Sequence, residues 1–219
     1  MNEEEGMSMT PFSPLAAGRV CRLPEEKTKS RPWTLNQEQT DEIIKKALDF
    51  GINFFDTANI YGNGTSEEFI GKSFKKFVKD RKDIIVATKV RQNEGLLSKE
   101  AILREIEGSL KRLQMDYVDL YIIHKWDYDH PIEETMKTLN ELVKSKKVRY
   151  LGCSSVFPYQ LLKANMIARE NGWAEFISIQ NHYNLIYREE EREMMQLLEE
   201  EKNDSIFCFG CREIMSSTY

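Results

Sequence analysis

Several apolar runs in this chain end in side chains that can do acid–base chemistry. Asp56 closes the first run with a carboxylate, Lys89 the second with an amine and His124 the third with an imidazole. Such groups donate, accept or stabilise a proton when they lie within hydrogen-bond reach of a reacting atom. Each alone has a structural explanation, such as a helix cap or a core histidine, so the interpretation depends on their combination.

The apolar runs have the character of strands that are buried on both faces, because each is short and rich in β-branched or aromatic residues. They span residues 52–56, 84–89, 118–124, 148–153 and 176–180. Amphipathic helical patterns separate them, with Ser98 as a helix cap and Thr34 and Gln37 spaced as a capping box. This alternation of strands and helices predicts a parallel sheet with helical crossovers.

The positions of the polar residues favour a barrel over a doubly wound sheet. The C-terminal ends of parallel strands face one side, so Asp56, Lys89 and His124 are expected at one rim, where barrel enzymes place their active sites. A doubly wound sheet would carry a Gly-rich phosphate loop after its first strand, and no G-x-G-x-x-G follows any of these runs. The predicted fold class is α/β, of the (β/α)8 TIM-barrel type. The 219 residues fall short of the roughly 250 of a complete barrel, so an incomplete barrel is expected. Six or at most seven strands can be counted when residues 7–11 or 205–209 are placed beside the fifth run.

Residues 51–62 resemble the signature of the aldo-keto reductase family, in which an Asp at a strand end is followed five residues later by a Tyr. Here these residues are Asp56 and Tyr61, while Lys89 and His124 match the family's catalytic lysine and histidine. Residues 152–155 and 178–181 resemble the segments that hold the nicotinamide carboxamide. The resemblance extends in order over about residues 34–200.

The resemblance implies reduction of an aldehyde or ketone by hydride transfer from NADPH, with NADH as the alternative. Tyr61 is implied as the proton donor to the developing alkoxide. A free tyrosine has a pKa near about 10, and the ammonium group of Lys89, held in place by Asp56, would lower it. His124 would position the substrate oxygen.

The same resemblance implies hydrogen bonds from Ser154, Ser155 and Gln180 to the nicotinamide amide, although the family more often has Asn in place of Ser155. Tyr183 or Tyr187 could stack on the nicotinamide ring, but packing is the expected role of both.

The order of elements departs from the family at both ends of the chain. Residues 9–19 resemble the seventh strand and the pyrophosphate loop, which in the family follow the sixth helix, and they provide Ser13, Leu15 and Gly18 as expected cofactor contacts. We therefore divide the chain into a displaced segment (1–33), a barrel core (34–204) and a non-matching tail (205–219).

Three explanations of this order stay open, because the family's first and eighth strands are not recognised and an unclosed barrel leaves unpaired strand edges. The N-terminal segment docks as the seventh strand, chains exchange elements in an oligomer, or the sequence is a partial gene product. The partial gene product is the preferred explanation, because the chain is shorter than a complete barrel needs.

Composition argues against several classes of function. The net charge of −5 offers no basic surface for nucleic acid or an anionic membrane. No apolar run approaches the roughly 20 residues of a membrane helix, and the acidic N-terminus lacks the features of a signal peptide. The four cysteines are therefore expected to be reduced and the location to be cytoplasmic. No metal site is expected, because Cys208 and Cys211 have the spacing of a metal pair but no second pair or nearby histidine to complete it.

The predicted function is thus an NADP-dependent reductase acting on a small-molecule carbonyl substrate. Two alternatives remain: a non-catalytic, cofactor-binding regulatory subunit, since potassium-channel β subunits resemble this family, or an inactive partial gene product.

Overall fold

Six parallel strands form one sheet in the computed structural model, which describes residues 35–90 and 93–208, the last five by their backbone only. The order of the strands in the sheet is their order along the chain, and every neighbouring pair is parallel. The strands are β1 Phe54–Asp56, β2 Ile85–Val90, β3 Val118–Ile123, β4 Val148–Ser154, β5 Phe176–His182 and β6 Asp204–Cys208.

The α-helices alternate with these strands along the described chain. They are α1 Gln37–Asp49, α2 Thr65–Phe77, α3 Lys99–Leu113, α4 Ile132–Lys144, α5 Pro158–Asn171 and α6 Met194–Glu201. From α1 to α5, each helix contacts the next one, so these helices form a layer over one face of the sheet. No helix in the described part of the chain is long and apolar enough to cross a membrane.

The unreversed strand order confirms the prediction of an incomplete (β/α)8 barrel. A doubly wound sheet reverses its strand order at a switch point, whereas a barrel adds each new strand beside the previous one. Within the described residues, β1 and β6 are the two edges of the sheet and do not pair with each other. The predicted displaced segment (1–33) lies outside the described residues, as does most of the predicted tail, of which 205–208 belong to β6.

The two faces of the sheet differ in how they are covered. The helix-facing side chains, such as Val86, Tyr121 and Leu151, join the main hydrophobic core. The inner face has a small buried cluster of Ala87, Leu120 and Ile122. Because strand residues alternate between the faces, every second residue of a strand points to the inner, concave side, where a barrel holds its active site at the C-terminal rim.

One predicted helix start is confirmed and one is wrong. Ser98 caps α3 by accepting a hydrogen bond from the Ala101 amide at 3.3 Å. The capping box of α1 is formed by Asn36 and Gln39 rather than by Thr34 and Gln37. The Asn36 side chain accepts from the Gln39 amide at 2.9 Å, and the Gln39 side chain accepts from the Asn36 amide at 3.1 Å. An asparagine caps a helix at least as well as a threonine, so the later residue defines the start.

Gly71 allows α2 and α3 to approach closely, and we expect Gly71→Ala to destabilise the fold. A Cβ atom at Gly71 would lie 2.4 Å from the carbonyl oxygen of Leu113 and 2.8 Å from that of Arg112. Backbone atoms cannot move aside cheaply, so the free energy of unfolding should fall by about 1–3 kcal/mol. Urea denaturation measures this change.

Gly108→Ala is the matched control, since Gly108 also lies within a helix. Its added Cβ would meet the far end of the flexible Arg112 side chain, with Nη1 at 2.9 Å. The higher helix propensity of alanine should offset that contact and leave stability within about 0.5 kcal/mol of the parent. Equal losses in both variants would contradict the close approach of the two helices.

Candidate active site

Lys89 lies at the centre of the rim, and its side chain is fully buried, with 0% exposure. Its Nζ donates to Asp56 Oδ2 at 2.5 Å and to the carbonyl oxygen of Thr57 at 2.8 Å. A buried ammonium is stable only when a counter-charge and hydrogen-bond acceptors surround it. Asp56, the last residue of β1, therefore supplies the counter-charge for Lys89 and fixes the position of its side chain.

Tyr61 lies against this ammonium group and begins the 3₁₀ turn Tyr61–Gly64, which follows β1. Its Oη is 3.4 Å from Lys89 Nζ, and that nitrogen is 4.9 Å from the centre of the Tyr61 ring. The turn has three successive left-handed residues, Gly62 (φ 59°), Asn63 (φ 55°) and Gly64 (φ 92°). Glycine and asparagine are the residues that adopt this conformation most readily, so the local sequence shapes the turn that holds Tyr61.

His124 follows β3 directly and completes the group. Its backbone amide donates to the carbonyl oxygen of Val90 at 2.8 Å, and its ring meets the Tyr61 ring edge-on, with centroids 5.7 Å apart. The structure thus brings Asp56, Tyr61, Lys89 and His124 together at the C-terminal ends of β1, β2 and β3. A carboxylate, an ammonium, a phenol and an imidazole in contact can deliver a proton to a bound oxygen.

Gln180 and Ser154 form a second polar group on the inner face of the sheet. They face each other across β4 and β5, and both are buried. Gln180 Nε2 has no hydrogen-bond partner among the described residues. A buried N–H without an acceptor costs about 1–3 kcal/mol, so this donor suits an acceptor on a ligand. The carbonyl oxygen of a nicotinamide carboxamide has that chemistry, and the residues present therefore fit a nicotinamide.

Ser155 has a left-handed backbone, with φ of 52°. Its amide donates to Asn181 Oδ1 at 2.9 Å, and Asn181 Nδ2 donates in turn to Glu190 Oε2 at 2.6 Å. Burial raises the pKa of Glu190, although its hydrogen bond from Asn181 opposes this rise. Asn181, which ends the same segment as Gln180, therefore supports the loop of Ser155.

Tyr183 and Tyr187 both have protein partners. The hydroxyl of Tyr183 donates to Glu191 Oε1 at 2.5 Å, and this bond to a carboxylate raises the pKa of Tyr183. The ring of Tyr187 packs edge-on against His182 at a centroid distance of 4.8 Å. The proposed cofactor contacts Ser13, Leu15 and Gly18 lie outside the described residues.

Sequence reasoning missed Asp127, a buried carboxylate that joins two rim loops. It accepts hydrogen bonds from the amides of Leu97 and Asp129 and lies beside His130 Nδ1, each at 2.9 Å. Burial alone would raise its pKa, but these hydrogen bonds together lower it below the usual value. The signal in the sequence was the cluster Asp127, Asp129 and Pro131, since aspartates near a proline are typical of turns that bond their own backbone.

Comparison with known proteins assigns the family. The model of the aldo/keto reductase family matches residues 25–211. An aldo-keto reductase of Fusarium vanettenii is 42% identical over 193 residues, which cover 75% of this chain and 52% of that protein. The versiconal hemiacetal acetate reductase of Aspergillus parasiticus is 40% identical over 186 residues, which cover 74% of this chain and 54% of that protein.

A solved structure agrees with these relatives. The holo form of an aldo-keto reductase from Bacillus halodurans aligns with a TM-score of 0.66 and 33% identity, over 78% of this chain and 57% of that one. The chain therefore belongs to the aldo/keto reductase family. It spans about half the length of the curated relatives that it matches.

We expect Ser155→Asn to stabilise the protein, because asparagine adopts left-handed backbone several times more often than most residues. Ser155 is exposed, so the larger side chain has room. Left-handed backbone costs most residues roughly 1–2 kcal/mol and asparagine less, so the free energy of unfolding should rise by up to about 1 kcal/mol in urea denaturation. Ser155→Ala, which lacks the amide, should give no such gain, and a destabilised Ser155→Asn variant would show that the hydroxyl itself is needed.

Proposed function

We propose that this protein reduces an aldehyde or ketone to an alcohol, with NADPH as the hydride donor and Tyr61 as the proton donor. The observation that carries this proposal is the buried ammonium group of Lys89, held between the carboxylate of Asp56 and the phenol of Tyr61. The names of the relatives described above, which are reductases, support catalysis rather than a purely regulatory role.

Tyr61 is suited to give up its proton at the rim. As the carbonyl carbon is reduced, negative charge develops on the substrate oxygen, and the proton of Tyr61 Oη passes to it. The phenolate left on Tyr61 is stabilised by Lys89 Nζ, 3.4 Å away in the resting protein. Tyr61 is partly exposed, so its proton can be replaced from solvent.

His124 and Asp56 act on the geometry of this transfer. The ring of His124, edge-on to Tyr61, limits where a substrate oxygen can lie and can donate a hydrogen bond to it. Asp56 keeps Lys89 charged, and the carbonyl oxygen of Thr57 fixes the direction of its Nζ. Pre-arranged donors of this kind stabilise developing charge without reorganising during the reaction.

Ser154, Ser155 and Gln180 are the residues we expect to hold the nicotinamide carboxamide, with Gln180 Nε2 donating to its carbonyl oxygen. A bound reduced nicotinamide would supply the hydride that adds to the carbonyl carbon. The preference for NADPH over NADH, and the contacts from Ser13, Leu15 and Gly18 to the pyrophosphate, are part of the same proposal and rest on the resemblance of their segments.

Tyr61→Phe tests the proposal, because it removes the transferable proton and keeps the ring. General acids contribute about 10²–10⁴-fold to rate, so kcat for NADPH oxidation with a panel of aldehydes should fall at least about 100-fold. The affinity for NADPH, measured by fluorescence titration, should stay within about two-fold, since the phenol is not needed to hold the cofactor.

Tyr128→Phe is the control, since Tyr128 also lies at the C-terminal side of the sheet but is 69% exposed and bonds only Gln160 among the described contacts. Its kcat should match the parent value. The proposal is wrong if the parent chain oxidises no NADPH with any carbonyl, or if Tyr61→Phe keeps the parent rate.

A further inference from the structure

Glu67 is a fully buried carboxylate just outside the proposed site, on the helix-facing side of the sheet. Its Oε1 accepts from Thr88 Oγ1 at 2.6 Å, and its Oε2 accepts from Arg112 Nε at 2.7 Å. Thr88 is the residue before Lys89 on β2, and Glu67 is in the first turn of α2. This one carboxylate therefore ties together β2, α2 and α3.

Arg112 connects Glu67 to the turn that holds Tyr61. Its side chain occupies the place where a Cβ atom of Gly64 would lie, 2.7 Å from Arg112 Cδ and 3.0 Å from Arg112 Nε. Gly64 ends the left-handed turn that begins at Tyr61. The arginine therefore packs directly against the turn, and its position depends on the bond from Nε to Glu67.

Glu67 therefore contacts the supports of both Tyr61 and Lys89. Lys89 lies on β2, which Glu67 contacts through the hydroxyl of Thr88. Tyr61 begins the turn against which Arg112, the ion-pair partner of Glu67, packs. We propose that the Glu67–Arg112 pair is a positioning device that sets the distance between Tyr61 Oη and Lys89 Nζ. This inference rests on the proposed function of Tyr61 as a proton donor.

The charged groups around Tyr61 allow the effect of position to be separated from the effect of charge. Lys89 on β2 and His124 at the end of β3 contact Tyr61 directly, and Asp56 at the end of β1 contacts the ammonium group of Lys89. Glu67 and Arg112, on α2 and α3, carry opposite charges and are bonded to each other. Because the two charges are opposite and adjacent, the intact pair is expected to act on Tyr61 through geometry rather than through a net charge.

Glu67→Gln tests the inference with a side chain of the same shape. The amide oxygen can still accept from Arg112 Nε and the amide N–H can donate to the Thr88 hydroxyl, but Arg112 loses its buried counter-charge, which weakens its hold against Gly64. The probe is ¹³C-labelled tyrosine in the intact chain, followed by NMR as a function of pH, with the Tyr61 signal identified by its loss in Tyr61→Phe. Loss of the Glu67 charge would by itself lower the titration midpoint of Tyr61, so the rise of about 0.5–1 pH unit that we expect as Lys89 moves away reports the change of position.

Asp119→Asn is the matched control at the opposite end of β2. Asp119 is also buried, paired with Arg81 and Arg149, and bonded to the β2 amide of Val86 at 2.9 Å. Its loss should destabilise the fold to a similar degree and leave the Tyr61 midpoint unchanged. A second variant, Thr88→Val, replaces only the hydroxyl that donates to Glu67 with a methyl group and leaves the charges unchanged. It should shift the midpoint in the same direction as Glu67→Gln, which keeps the test usable if Glu67→Gln does not fold.

The outcomes distinguish this inference from the proposed function. A lowered midpoint in the parent chain that rises in Glu67→Gln or Thr88→Val, but not in Asp119→Asn, supports the positioning role. A lowered parent midpoint that none of the variants changes, or that Asp119→Asn changes equally, overturns it. A parent midpoint at the ordinary tyrosine value contradicts the proposed role of Tyr61 itself.

Discussion

A lysine ammonium group with no exposure to solvent imposes the strictest condition on this structure. Taking such a charge out of water costs several kcal/mol, and only a close counter-charge with well-placed acceptors offsets that cost. Asp56 Oδ2 and the carbonyl oxygen of Thr57 meet this condition, and both depend on β1 lying beside β2 in the observed register, in which Asp56 pairs with Ala87. The placement of Lys89 beside Tyr61 therefore depends on the pairing of β1 with β2. If the two strands did not pair in this register, the charge of Lys89 would be buried without a partner.

The same sheet serves stability on one face and chemistry on the other. Its helix-facing side is packed with apolar residues, while the inner face is polar towards the C-terminal rim, where Lys89, Ser154 and Gln180 lie. Nearer the opposite end, the inner-face residues Ile85 and Tyr150 are 40% and 55% exposed. The described core thus rests mainly on contacts between helices and strands, and the rim is held by hydrogen bonds between neighbouring strands and loops.

Much of the fold could be predicted from sequence because apolar strands and amphipathic helices leave strong periodic signals. The predicted strand boundaries lie close to the observed ones, and the observed order of strands confirms the prediction of an incomplete barrel. The capping box of α1 was misplaced because Thr34 and Asn36 are both competent caps, and only the three-dimensional path selects between them.

Glu67 and Arg112 were missed for a different reason, since a charge on a helix is usually solvated. The available signal was the position of Glu67 on the stripe of Ile70, Gly71 and Phe74, which marks the buried face of α2. The partner of such a carboxylate cannot be read from spacing, because Arg112 lies 45 residues away.

The central claim is that the rim around Lys89 is a nicotinamide site, and a thermal melt of the purified chain with and without NADPH tests it most directly. A ligand that binds the folded state at about 100 times its Kd stabilises it by about 2.7 kcal/mol, which should raise the Tm by roughly 5–10 °C for a chain of this size. The rise should grow with the logarithm of the NADPH concentration. A Tm that stays constant up to millimolar NADPH would contradict a nicotinamide site in this protein.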